Sequence, residues 1–94
     1  MVSPLGHLPF PLTHASAVFL DGRMVIVGGR RSENGDQTNA ILAINPATGA
    51  VSTVGQLPQQ LSDAAVALDS GRIVVAGGDN GNGPQSSILA LTPR

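Results

Sequence analysis

The sequence predicts an all-β fold in which one four-stranded unit occurs twice. The first observation is a repeat at an offset of 49 residues: Leu8-Pro9, Gly22-Arg23 and Gly28-Gly29 recur as Leu57-Pro58, Gly71-Arg72 and Gly77-Gly78. The second is that each glycine pair ends an apolar run of about four residues, which is too short for a helix. A period near fifty residues, with a glycine pair at the end of an apolar strand, is typical of propeller blades.

The first repeat predicts four strands. Asp21-Gly22 is expected to form a two-residue hairpin turn between the first two, because both residue types tolerate positive φ. Gly28-Gly29 closes the second strand, and a turn at residues 45–49 precedes the fourth. The strands themselves are expected at residues 13–20, 23–27, 39–44 and 50–54.

The second repeat predicts three strands, at residues 62–68, 72–76 and 87–91. A counterpart of the fourth strand stands at the other end of the chain, since residues 2–9 match residues 51–58 at five of eight positions. Within residues 1–94 we therefore expect three parts. These are a fourth strand at 2–9, blade one at 10–58, and blade two, without its own fourth strand, at 59–94.

The central strand of each repeat is an unbroken apolar run, at residues 24–27 and 73–76. Unbroken runs are typical of strands that are buried on both faces. In a propeller each blade lies between two neighbours and meets this requirement. Two blades alone would leave apolar faces in water. We therefore expect them to bind a further blade through a head-to-tail contact that closes a ring.

The composition indicates that much of the surface contacts another protein surface. Charged residues make up 12% of the 94-residue chain, against about 25% in soluble domains. The net charge is −1, and the five basic residues, all Arg, form no stripe that could follow a phosphate backbone, so no nucleic-acid partner is expected. No apolar run approaches the ~20 residues of a membrane span, and no membrane partner is expected. The chain has no Cys, which excludes disulfides.

The order of these features resembles the kelch repeat. An apolar strand, a glycine pair, a variable loop, a strand ending at Asn45-Pro46 or Thr92-Pro93, and a strand ending in Leu-Pro follow one another. Many kelch repeats carry a Tyr after the glycine pair and a Trp in the fourth strand. Leu42 and Leu89 lie near the Tyr position and Val2 and Val51 at the Trp position, which is similar to the aliphatic variants of bacterial kelch proteins.

The resemblance implies a ring of several blades. Kelch propellers usually have six or seven, and of these only six is a multiple of two. We therefore expect a homotrimer, in which residues 2–9 of each chain complete the second blade of the next. The same pattern is equally expected of a fragment of a longer chain.

His14 and Asp63 are the first candidate site residues, because they hold the same position at the start of the first strand of each repeat. First strands line the channel of a propeller, so in a trimer three His and three Asp would alternate around one mouth. Such a ring could hold a metal or gate anions, since His is a frequent ligand. We favour the simpler interpretation that His14 resembles a family feature that bonds to neighbouring backbone.

The loops after the glycine pairs are the second candidate site. They are polar, rich in glycine and different between the repeats, as binding loops on a rigid frame often are. They are also ordinary turn sequences. The candidate residues are Arg30, Arg31, Glu33 and Asp36 in the first loop and Asp79 and Asn80 in the second.

Two functions follow from these observations. The first is a non-enzymatic scaffold, a ring that binds itself and carries a protein or carbohydrate ligand on its polar loops. The alternative, which the resemblance implies, is a unit of a carbohydrate-acting propeller enzyme of the mutarotase or oxidase kind. That enzyme would need acid, base and Arg groups in one pocket, and no sequence motif places a catalytic set. We expect no cofactor and no metal, and favour the scaffold.

Overall fold

The protein is described here by a computed structural model that covers residues 2–31 and 36–92. Seven strands lie in these ranges and form two antiparallel sheets. The four-stranded sheet, blade one, has the order β1-β2-β3-β4, and the three-stranded sheet, blade two, has the order β5-β6-β7. The strands are β1 (Ser16–Leu20), β2 (Arg23–Val27), β3 (Ala40–Ile44), β4 (Val51–Gln56), β5 (Ala65–Asp69), β6 (Arg72–Ala76) and β7 (Ile88–Leu91).

Both blades begin with a tight hairpin, as expected. The turn residues Asp21 and Gly22 have φ of 53° and 78°, and Ser70 and Gly71 have the same two values. Two successive positive φ angles define the type I′ turn, whose twist matches that of the paired strands. The two hairpins therefore have the same backbone conformation, although Ser70 stands where blade one has Asp21.

The strands β1 and β5 begin three residues later than the sequence predicted, at Ser16 and Ala65. The reason is that His14 and Asp63 adopt left-handed backbone conformations, with φ of 56° and 59°. An extended strand cannot pass through such a residue. β4 ends two residues later than predicted, because Gln56 still pairs with Ala40 of β3.

The core lies between the two blades. Side chains of a strand alternate between its two faces, so Val25 and Val27 of β2 point to the same side, as do Ile73 and Val75 of β6. These four side chains belong to one buried cluster, to which Ile41, Leu57, Leu61 and Ala64 also belong. We call the two surfaces that meet in this cluster the inner faces.

The two outward surfaces, which we call the outer faces, are partly open to solvent. On blade one Phe19 is 60% exposed and Met24 43%, and on blade two Ile88 is 75% exposed. The sequence predicted that residues 24–27 would be buried on both sides, and for Met24 this is wrong in the single chain. The reason is that each blade has one neighbour here and not two.

Residues 2–9 form no strand within the chain, and Val2 is 98% exposed. The segment nevertheless lies beside the β3–β4 turn of blade one. A Cβ at Gly49, where φ is 77°, would be 2.3 Å from the carbonyl oxygen of Leu5, so only glycine fits there. No helix in the described residues is long and apolar enough to cross a membrane.

Candidate functional site

One end of the two sheets carries most of the residues that the sequence singled out. At this end β1 and β5 begin and β2 and β6 end, and we call it the loop face. It includes His14, Arg30, Arg31, Asp36, Asp63, Asp79 and Asn80. Glu33, the remaining candidate, lies outside the described residues.

The two blades build this end of the sheets in the same way. Thr13 and Arg30 exchange two backbone hydrogen bonds of 2.8 and 2.7 Å, and Ser62 and Asp79 exchange two of 2.9 and 2.8 Å. Arg30 and Asp79 therefore occupy equivalent places. The backbone after each glycine pair thus directs one charged side chain to the same position in each blade.

His14 and Asp63 connect the blades through their backbone. The N–H of Asp63 donates a hydrogen bond of 2.9 Å to the carbonyl of His14. Left-handed conformations are uncommon outside glycine, and Asn, Asp and His are the residues that tolerate them best. The identity of both residues is thus explained in part by backbone geometry.

The ring of His14 has a different partner from the one expected. Its Nδ1 lies 2.9 Å from the hydroxyl oxygen of Thr13, so the ring contacts a side chain and only the carbonyl bonds to neighbouring backbone. Within the described residues no group of three or more His, Cys, Asp or Glu side chains could hold a metal ion.

Arg30 crosses from blade one to blade two. Its Nη2 lies 3.6 Å from Oδ2 of Asp63, and its Nε donates a hydrogen bond of 3.3 Å to the hydroxyl of Ser62. Both charged side chains are partly exposed, so the ion pair contributes at most about 1 kcal/mol. Two of the predicted site residues therefore bind each other, and they join the blades.

Arg31 points to another partner. Its guanidinium carbon lies 4.2 Å from the centre of the Phe10 ring, a cation–π contact. Its backbone N–H donates a bond of 2.8 Å to the carbonyl of Asp36, which closes the base of the loop. Arg31 and Asp36 thus hold the loop as well as lining it.

A cluster of amide side chains joins residues 57–61, which connect the two blades, to the second loop, and the sequence did not predict it. Asn80 Nδ2 donates to Gln59 Oε1 over 3.0 Å, Gln59 Nε2 donates to Gln85 Oε1 over 3.3 Å, and Gln60 Nε2 donates to the Asn80 carbonyl over 3.1 Å. The one available signal was the Gln59-Gln60 pair, whose partners lie 20 to 26 residues away in sequence. Amides supply both donors and acceptors, which suits an uncharged polar ligand.

Two cavities lie away from these residues. One of about 270 Å³ is lined by the N-terminal segment and the start of β4, including His7 and Thr53. A second, of about 490 Å³, opens between the blades and is lined by Val25 and Ile41 of one and Ile73 of the other. None of the candidate residues that the structure describes lines either cavity.

The sheets, their hairpins and the glycine pairs define the class of protein: these are blades of a β-propeller. The family model for the kelch motif matches residues 11–58, which is about half of the chain. The chain belongs to the kelch-repeat family.

A solved structure, that of the kelch-repeat propeller protein YjhT, is similar to this chain. The TM-score is 0.69 and the sequence identity 25%, over 83% of this chain and 24% of that one. This chain thus spans about a quarter of the length of YjhT. The comparison with curated proteins finds no match.

Proposed function

We propose that this chain is a non-enzymatic binding scaffold. Its two blades join those of two further copies to close a six-bladed ring, and the loop face of that ring is the surface that binds a protein or carbohydrate ligand. The observation that carries the proposal is the incomplete burial of blade two.

That incomplete burial has two parts. Within the described residues β3 is paired on both edges, whereas β7 is paired with β6 and has no strand on its other edge. Open strand edges and exposed apolar faces both favour association. A fourth strand from residues 2–9 of another copy, with that copy's blade one beside it, would cover the edge and the face together.

The loop face supports the binding role. The amide of Gln59 lies on it within hydrogen-bond distance of the amides of Asn80 and Gln85. Such groups recognise polar ligands without strong charge. Because the ring would repeat this set three times, a ligand with repeated polar groups would gain from multivalent binding.

An enzymatic role receives less support. A carbohydrate-acting unit needs an acid, a base and an Arg around one cavity, whereas the described candidates Arg30 and Asp63 pair with each other at the surface. No specific observation favours catalysis, so the scaffold is our conclusion.

The experiment is the mass of the protein in solution. Light scattering at micromolar concentration should give three times the chain mass of 9.5 kDa. A stable monomer would contradict the proposal, and a tetramer would replace six blades with eight. For the loop face, Asn80→Ala should leave that mass unchanged and reduce binding of any glycan or protein ligand found by array screening.

A further inference from the structure

We propose that the contact between copies is a second version of the chain's own blade-to-blade contact, with the charges of its ion pair exchanged. Asp79 of one copy then pairs with His14 of the next, and the outer face of blade two packs on the outer face of blade one. This inference rests on the ring proposed above and names the surfaces that close it.

The template for this contact is the Arg30–Asp63 pair inside the chain. The 49-residue offset takes Arg30 to Asp79 and takes Asp63 to His14. The backbone supports this equivalence, because Arg30 and Asp79 form the same bridge and His14 and Asp63 share the same left-handed φ. Continuing the arrangement by one blade therefore brings Asp79 to His14 of the neighbouring copy.

The contact between copies would also join opposite charges, but with the cation and the anion on exchanged blades. Inside the chain the first blade supplies the cation and the second blade the anion, Arg30 and Asp63. Between copies the first blade in order supplies the anion, Asp79, and the next supplies His14, which can carry a positive charge. Opposite charge at both contacts favours the correct head-to-tail order.

The outer face of blade two corresponds, by the 49-residue offset, to the inner face of blade one, but some of its side chains are smaller. On the inner face of blade one, Val18 and Val27 pack at the core. Their counterparts on the outer face of blade two are Ala67 and Ala76. This outer face is therefore flatter than the surface that it copies.

The outer face of blade one keeps its total side-chain volume. Phe19 and Ile26 are larger than their counterparts Leu68 and Val75 of blade two, Met24 is similar in size to Ile73, and Ala17 is smaller than Val66. Both outer faces carry exposed apolar side chains, among them Phe19 and Ile88. A second copy of this chain is the partner that would bury both faces in one contact.

The glycine pairs show where the next backbone would enter. The N–H of Gly29 donates a bond of 2.7 Å to the carbonyl of Leu61, and the equivalent Gly78 makes no such bond within the described residues. The counterpart of Leu61 in the next blade is Leu12 of the next copy. Its carbonyl would accept the hydrogen bond from Gly78.

A charge-reversal cycle tests the ion pair. We would measure the association constant by sedimentation equilibrium near pH 6, where imidazoles are largely charged. Asp79→Arg places two cations at the contact and His14→Asp places two anions there, so each should weaken association about tenfold per contact. The double variant recreates the order of the Arg30–Asp63 pair and should return to within about threefold of the original protein.

Two controls separate charge from folding. Asp79 Oδ1 accepts a bond of 2.7 Å from the N–H of Gly81, and Asp79→Asn keeps that acceptor while removing the charge. It should weaken association by about threefold. Asp36→Arg makes the same charge change elsewhere on the loop face and should have no effect.

The outcomes distinguish this inference from the ring itself. If the original protein is a trimer and both single variants associate as it does, the pairing is wrong and the ring stands. If the single variants weaken association and the double does not restore it, His14 and Asp79 do not meet. A monomeric original protein overturns both proposals.

Discussion

Blade one and blade two have nearly the same sequence pattern and very different burial. Ile41 pairs with Val27, and Ile88 pairs with the equivalent Ala76. Ile41 is 8% exposed and Ile88 is 75% exposed. The two isoleucines have the same strand position and the same chemistry, so the difference comes from what surrounds each blade.

This comparison teaches that burial in a repeat protein belongs to a position in the array and not to the repeat itself. Blade one has β4 on its edge, and its face with Val25 and Val27 is covered by blade two. Within the described residues, blade two has no strand beyond β7, and its equivalent face, which is its outer face, is covered by no blade. Repeats stabilise one another through nearest-neighbour contacts. In our proposal the stability missing from blade two comes from a blade of another copy, and three predictions test this.

The largest effect is expected from deletion of residues 1–9. In our proposal Val2, Leu5 and Leu8 are anchors in the blade of a neighbour, each stabilising it by roughly 1.5–3 kcal/mol when fully buried. Their sum is comparable to the stability of a small domain, about 5–15 kcal/mol. The truncated chain should form no discrete ring by light scattering and should aggregate or unfold.

A matched control for the deletion is the variant Val2→Ser/Leu5→Ser, which keeps the backbone that would pair with β7 of the neighbouring copy in our proposal. It should form a weaker ring of the same stoichiometry. If the truncated chain still elutes as a folded oligomer of unchanged mass, exchange of this strand does not close the assembly.

The glycine pairs provide the second test. A Cβ at Gly28 would lie 2.2 Å from the carbonyl oxygen of Leu61, whereas at Gly77 the nearest atom is the Gln85 carbonyl oxygen at 3.5 Å. Both glycines have positive φ, which alone costs an alanine about 1–2 kcal/mol. Gly28→Ala should therefore unfold much of the chain, with a loss of roughly 3 kcal/mol or more in urea titrations.

Gly77→Ala is the partner variant. By circular dichroism it should leave the chain folded, and by sedimentation it should reduce assembly, because its Cβ would meet the entering backbone of the next copy. Equal losses of folding stability at Gly28 and Gly77, with unchanged assembly, would mean that no further blade approaches Gly77.

Much of the fold follows from the sequence because the repeat gives each element a counterpart. The strands β2 and β6 were predicted to the residue, since a hairpin turn and a glycine pair mark their ends. The starts of β1 and β5 were wrong by three residues, because the left-handed φ of His14 and Asp63 has no reliable signal in residue type. Asp and His tolerate that conformation, but they do not require it.

Less of the candidate site could be predicted. The repeat placed His14, Arg30, Asp63 and Asp79 on one face, but the Arg30–Asp63 pair depends on how two blades meet, which no local pattern encodes. The amide cluster around Gln59 likewise joins residues distant in sequence. Side chains that meet through packing of separate sheets can be found only once that packing is known.

The smallest effects are expected from alanine substitution of Ile41 and Ile88, the two equivalent isoleucines that differ in burial. Ile41→Ala removes a side chain from the core cluster and should lower the free energy of unfolding by about 2–4 kcal/mol. Ile88→Ala removes an exposed side chain and should change unfolding of the dissociated chain by no more than about 0.5 kcal/mol. Association should nevertheless weaken by about tenfold or more per contact, because burial against the next copy is worth roughly 1.5–3 kcal/mol for such a side chain. Urea titration of dilute protein and sedimentation equilibrium measure the two quantities separately. An Ile88→Ala variant that associates like the original protein would show that the outer face of blade two stays in water.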